Sequence, residues 1–178
     1  MTAARDRTLL VALLCAVNVG GTGKLPMSDL RARCETIGFT DVRTYIASGN
    51  VLFTTGLGSD GAREALESAL REHAGRPVGV LVRTPDELVR VRDRNPFPDA
   101  SPSRVGVMFL DTSPTDGTAE GATGRADEEI VLGDREVYVH YPHGMGSSRL
   151  RVPTGTARVT TRNMNTVAKL AGLAAGRS

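Results

Sequence analysis

The chain has 178 residues, enough for one ordinary domain or for two small lobes. Apolar residues make up 40% and charged residues 24%, a balance that is typical of globular proteins and excludes a disordered chain. The net charge of +2 excludes a protein that binds polyanions with its whole surface.

Charge is nevertheless distributed unevenly along the chain. Residues 111–136 carry eight acidic and two basic side chains, whereas residues 137–178 carry six basic and no acidic ones. A local field of one sign can attract anions even when the total charge is small. The basic segment therefore either attracts an anion or faces the acidic segment across the fold.

The first half of the chain predicts one α+β lobe. The apolar run 8–16 is typical of a strand buried on both faces, and Pro26 marks the start of a helix that ends near Gly38. A hairpin turning at Gly49 and Asn50, a helix over residues 59–75 and a strand over 77–84 follow. This βαββαβ order predicts a ferredoxin-like lobe over residues 1–84.

The second half, residues 85–178, predicts another α+β lobe. Thr84 and Pro85 indicate a helix start, residues 104–111 a strand, and Gly133–Asp134 the turn of a second hairpin. A Gly-rich loop leads to a last helix over residues 162–176, which Thr160 or Thr161 caps. The predicted fold class is α+β: two packed ferredoxin-like lobes with mainly antiparallel sheets and helices on one face. The C-terminal helix is free to pack back on the first lobe.

The segment N-V-G-G-T-G-K, residues 18–24, has the glycines and the lysine of a phosphate-binding loop. The P-loop pattern needs a glycine at position 18 and a hydroxyl residue at position 25, where this chain has Asn18 and Leu25. Nucleotide hydrolysis is therefore not predicted. Two interpretations stay open: the glycines form a tight strand-to-helix turn, or their amides bind an anion.

Two further polar segments are candidates for anion binding. H-G-M-G-S-S-R-L-R, residues 143–151, offers flexible backbone, two hydroxyls and two planar guanidinium groups. T-T-R-N-M-N-T, residues 160–166, either points into a cleft or caps the last helix. The predicted ligand-binding residues are Asn18, Gly20, Gly21, Lys24, Ser48, Asn50, Arg149, Arg162 and Asn163.

Catalytic, metal and cofactor signals are weak in this sequence. His140 and His143 have no third metal ligand beside them, so we predict no metal and no cofactor. The first hypothesis is a protein that binds a phosphate-bearing small molecule or a nucleic acid at Gly-rich loops between the lobes. The second is an enzyme in the same cleft, with His143 and Tyr45 as the candidate titratable groups. The third is a protein-interaction domain without a ligand.

The sequence also predicts a cytoplasmic location. The apolar run 9–17 is too short to cross a bilayer, which argues against a membrane partner. Cys15 and Cys34 lie in apolar patterns, as expected of buried thiols in a reducing compartment. No oligomeric state is predicted.

Five stretches resemble a bacterial group, domain-of-unknown-function family 1697. They are LLCAVNVGGTGKLPMSDLR, GFTDVRTYIASGNVLF, NPFP, YVHYPHGMGSSRL and TTRNMNTVAKL, in order over nearly the whole chain. The resemblance implies two packed α+β lobes of ferredoxin-like character and carries over no catalytic residue. Two departures concern the proposed sites: Cys15 and Ala16 stand where the family usually has Arg-Gly, and Met164 stands where it usually has tryptophan.

Overall fold

A computed structural model of the chain describes residues 6–15, 25–45 and 49–176. The chain divides into two compact units, residues 1–87 with 172–178, and residues 88–171. The described residues form four α-helices and two four-stranded antiparallel sheets, which confirms the predicted α+β class. None of these helices has the length and apolar character that crossing a membrane requires.

The first unit contains a sheet with the strand order β2-β3-β1-β4, in which every neighbouring pair is antiparallel. Its elements are β1 (Thr8–Leu14), α1 (Met27–Thr36), β2 (Thr40–Tyr45), β3 (Asn50–Thr55), α2 (Ser59–Ala74) and β4 (Val80–Arg83).

The apolar core of the first unit lies between this sheet and its two helices. Leu30 of α1 and Leu66 of α2 are fully buried in one cluster with alternate residues of the strands. Phe39 and Phe53 stack in it with their ring centroids 4.2 Å apart. Cys34 also belongs to this cluster, and its burial raises the pKa of the thiol to about 12, so the side chain packs as a small neutral group.

Local hydrogen bonds fix where the elements of the first unit begin and end. Gly38 has φ of +92°, the left-handed conformation that the sequence predicted at the end of α1. The side chain of Asn50 donates to the Tyr45 carbonyl oxygen at 2.9 Å and closes the hairpin. The Val80 amide donates to the Glu67 carboxylate at 3.1 Å, so a side chain of α2 binds the first amide of β4.

The second unit contains the other sheet, with the strand order β6-β7-β5-β8. Helix α3, which begins just before the unit boundary, carries the predicted start signal: the Thr84 hydroxyl accepts from the Glu87 amide, and the Glu87 carboxylate accepts from the Thr84 amide. The elements are α3 (Pro85–Asp93), β5 (Val105–Leu110), β6 (Glu129–Leu132), β7 (Glu136–His140), β8 (Val159–Asn163) and α4 (Met164–Ala175).

The end of the chain differs from the prediction in one element. Thr160 and Thr161 do not cap the last helix, since they lie in β8, which pairs with β5. The cap is Asn163, whose side-chain oxygen accepts from the Thr166 amide at 3.0 Å. The strand was missed because its sequence is polar and its partner lies about fifty residues earlier in the chain.

The two sheets share one strand order, but their connections differ. In the first unit, α1 and α2 connect the strands and cover one face. In the second unit, residues 111–128 and 141–158 take the place of these helices and contain turns, a short 3-10 helix, an isolated bridge between Thr123 and Arg151, and irregular segments. One face of the second sheet is therefore covered by loop side chains such as Leu150 and Val152.

Candidate functional site

The two long connections of the second unit form a pocket of about 180 Å³. Its wall combines residues 124–128, which lead into β6, with residues 141–149, which follow β7. The second of these segments is most of the Gly-rich loop H-G-M-G-S-S-R that the sequence indicated. The pocket therefore occupies the side of the sheet where the first unit has helices.

Three glycines allow this pocket to exist. A side chain at Gly106 of β5 would lie 2.9 Å from the Tyr141 ring, so only glycine lets that ring pack on the strand. Gly124 has φ of +67°, and a side chain there would collide with the Arg149 carbonyl oxygen. Gly144 has φ of +90° and turns the loop. Mutual backbone hydrogen bonds of 2.9 and 2.8 Å between Thr123 and Arg151 join the two connections.

A buried carboxylate holds the two connections together beside the pocket. The Ser148 hydroxyl donates to Glu128 at 2.6 Å, and the Ala126 amide donates to the other oxygen at 2.6 Å. These hydrogen bonds hold the pKa of Glu128 below its usual value, and the bond from Ser148 has the largest effect. Burial, with a smaller effect of the Glu128 charge, raises the pKa of the neighbouring Tyr141, so its phenol stays neutral.

A histidine and a carboxylate lie at the mouth of the pocket. The Nε2 atom of His143 is 2.8 Å from an oxygen of Asp127, and both side chains are well exposed. The Ser147 hydroxyl donates to the His143 carbonyl oxygen at 2.9 Å, which fixes the backbone of this turn. The carboxylate orients the imidazole toward the loop that precedes β6.

Arg149 is the basic residue that lines the pocket. Its side chain is exposed, and among the described residues its guanidinium group makes no hydrogen bond or ion pair. Glu128 is already bound by Ser148 and Ala126, and Asp127 by His143. Among the residues that line the described pocket, Arg149 is therefore the cationic side chain without a hydrogen-bond or ion-pair partner.

The other predicted ligand-binding residues have different positions. Asn50 is buried in the hairpin of the first unit, where it bonds to Tyr45. Arg162 of β8 is buried and donates to the Thr160 hydroxyl at 2.5 Å and to the Thr161 carbonyl at 3.0 Å, and Asn163 caps α4. Neither Arg162 nor Asn163 lines the pocket. Five of the predicted residues lie outside the described residues: Asn18, Gly20, Gly21, Lys24 and Ser48.

Sequence reasoning missed the acidic side of this pocket. Glu128 and Asp127 belong to the acidic segment 111–136, and nothing in the sequence connects Asp127 with His143 across sixteen residues. The proposal of one shared site for all nine residues stays a prediction. Within the described pocket, the residues present offer hydroxyl, imidazole, guanidinium and carboxylate groups, but no cluster of three metal-ligating side chains.

The depressed pKa of Glu128 predicts a pH-dependent contribution to stability. A carboxyl whose pKa is lower in the folded chain stabilises the fold above its unfolded pKa of about 4.3. That contribution is lost as the pH falls through the folded value. We expect Glu128→Gln to lower the unfolding midpoint in urea at pH 7, and the difference from the original chain to shrink below about pH 4. Glu120→Gln, at an exposed position of the same connection, should show no such difference. A constant deficit from pH 7 to pH 3 would contradict this role of Glu128.

Comparisons with known proteins concern family and fold. Residues 8–138 match a family described as "Protein of unknown function (DUF1697)". No curated protein matches the chain. The solved structure of conserved bacterial protein SP0830 from Streptococcus pneumoniae is similar with a TM-score of 0.76 and 22% sequence identity, over 95% of this chain and 99% of that one. At this identity the likeness shows a shared fold.

Proposed function

Since the chain belongs to the DUF1697 family, whose function is unknown, we propose from its pocket that it binds a small anionic ligand such as a phosphorylated metabolite. The binding segment is residues 143–149 of the second unit. These residues belong to the second of the three candidate anion-binding segments that the sequence indicated, residues 143–151.

The observation that carries the proposal is the unneutralised guanidinium group of Arg149 at the pocket. A guanidinium group presents planar pairs of donors that match a carboxylate or phosphate. His143 and Ser147 lie in the same wall, but Asp127 and the His143 carbonyl oxygen already engage them, so the proposal depends on the donors of Arg149. The nearby carboxylates of Glu128 and Asp127 are hydrogen-bonded to Ser148, Ala126 and His143, and no hydrogen bond or ion pair joins either of them to Arg149.

The size of the pocket favours a small molecule over a nucleic acid. A cavity of about 180 Å³ accommodates a phosphate with a small organic group. Proteins that bind single strands normally stack successive bases on several aromatic rings. Tyr141 is the one tyrosine among the residues of the described pocket, which contain no phenylalanine.

The experiment compares two neighbouring arginines. We expect isothermal titration with inorganic phosphate, sugar phosphates and nucleoside phosphates to find a ligand whose affinity falls roughly tenfold or more in Arg149→Ala, since a charged hydrogen bond contributes about 1.5–3 kcal/mol. Arg151→Ala removes a guanidinium group of another exposed residue that does not line the pocket, and this variant should bind the ligand normally. Equal losses in both variants would indicate diffuse attraction instead of a site, and a panel without any binder would refute the proposal.

A second candidate function, an enzyme in the same pocket, is favoured by the Asp127–His143 contact. A carboxylate that holds an imidazole is the arrangement by which many enzymes prepare a general base. The discriminating measurement is hydrolysis or transfer of the identified ligand. Turnover that is abolished in His143→Asn while binding persists would favour the enzyme, and binding without turnover in the original chain would favour the binding protein.

Two finer structural assignments are also proposals. The order β4-β1-β3-β2 with two connecting helices supports a ferredoxin-like first unit. The second unit has the same strand order without those helices, which supports a reduced version of that arrangement. A cytoplasmic location stays a prediction, in keeping with Cys15 and Cys34, which form no disulfide with each other.

A further inference from the structure

The two sheets end in four edge strands, of which three are protected in the described part of the chain. β2 is interrupted by a bulge between Thr40 and Arg43, with Asp41 at φ of +50°. All four residues of β4 are buried, and β8 has no exposed residue. Bulges and burial are the usual means by which proteins block the open hydrogen-bonding groups of an edge.

β6 has none of these protections. It pairs with β7 in an unbroken register, contains neither proline nor lysine, and has no buried residue. Val131 is 40% exposed, and Leu57 is the other large apolar side chain of the described residues with such exposure. An apolar residue in the middle of a regular, open edge strand is a template for pairing with another strand.

The register of β6 defines which of its main-chain groups are open. The Gly133 amide donates to the Glu136 carbonyl oxygen at 2.7 Å, so these residues form a hydrogen-bonded pair. Antiparallel pairs alternate, hence Val131 also bonds to its β7 partner, Tyr138. The main-chain groups of Ile130 and Leu132 therefore point away from β7, toward the open edge.

We propose that β6 is a dimerisation edge on which the β6 strand of a second copy of this chain pairs antiparallel, centred on Val131. In this register Ile130 of one copy exchanges two hydrogen bonds with Leu132 of the other, and the two-fold axis repeats the exchange. Val131 then faces Val131 of the second copy as a non-hydrogen-bonded pair, where side chains approach most closely.

The strand is complementary to itself in this register in side chains as well as in hydrogen bonds. Ile130 and Leu132 lie on the same face of the sheet and extend the half-buried apolar cluster of one copy into the other. Glu129, the one charged residue of the strand, lies opposite Gly133 of the second copy, so no like charges oppose each other. Because the strand has four residues, the expected dimer is weak and depends on concentration.

Sedimentation velocity over a hundredfold range of protein concentration tests the proposal. We expect a reversible dimer in the original chain and in Leu57→Lys, a control that places the same charge at a similarly exposed apolar position of the first unit. Val131→Lys brings two ammonium groups together and should weaken the dimer at least tenfold. A monomer at every concentration, or a dimer unchanged in Val131→Lys, would overturn the proposal. A monomer at every concentration would mean that the β6 edge does not pair with a second copy of this chain.

A disulfide experiment tests the register independently of dimer strength. In a Cys15→Ser background, Val131→Cys should form a covalent dimer on mild oxidation, because the two sulfur-bearing carbons face each other across the axis. Glu129→Cys should not cross-link, since its counterpart is Gly133. Cross-linking of both variants at equal rates would indicate random collision and would overturn the centred register.

Discussion

Replacing Phe53 with alanine should lower the free energy of unfolding of the first unit by about 3–5 kcal/mol, as deletions of buried aromatic rings do. Phe53 is fully buried in the centre of β3, where it pairs with Leu10 of β1 and stacks on Phe39. The loss of free energy has two parts. One is the transfer free energy of the ring from water, and the other is the cost of the cavity that remains beside Phe39.

Chemical denaturation monitored by circular dichroism measures this loss. Phe53→Leu serves as the control, because it keeps most of the apolar volume and should cost much less than the alanine variant. Similar unfolding midpoints for Phe53→Ala and the original chain would show that the sheet and helix core described for the first unit is wrong.

Replacing Gly124 with alanine should have the second largest effect, and it should act on the pocket. An alanine at φ of +67° costs about 1–2 kcal/mol, and the backbone shift that relieves its collision with the Arg149 carbonyl oxygen adds about 1–3 kcal/mol. The shift moves the segment that carries Arg149, so we expect ligand binding to be lost together with stability.

Gly155→Ala separates the two causes. Gly155 has a similar φ of +61°, but no atom lies within 4 Å of where its side chain would be. This variant should lose only the conformational part, about 1–2 kcal/mol, and should keep its affinity for the ligand. If the Gly124 and Gly155 variants lost equal stability and affinity, the close approach of the two connections would not matter.

Local signals in the sequence predicted the elements that depend on local contacts. The Thr84–Glu87 start of α3, the glycine end of α1 and the turn between β6 and β7 each depend on residues within about five positions. Their side-chain and backbone geometry is determined by neighbours in the chain, so one sequence is sufficient to recognise them.

Contacts between distant segments could not be predicted in the same way. β8 has a polar sequence that resembles a helix cap, and it becomes a strand because β5 supplies its hydrogen bonds. The Glu128–Ser148 and Asp127–His143 contacts likewise depend on two connections that are distant in the sequence and that the sheet brings together. The loop with Arg149 was recognised by residue type, but its acidic neighbours left no periodic signal.

The carboxylate of Glu67 changes what hydrogen exchange reports at one backbone amide of the first unit, that of Val80. In most strands, the exchange of an amide proton with solvent reports the opening of the neighbouring strand. The Val80 amide is instead bound by a side chain of α2, so its exchange reports the undocking of that helix. Comparing deuterium exchange at the Val80 amide with exchange at strand-paired amides therefore distinguishes undocking of α2 from separation of the strands.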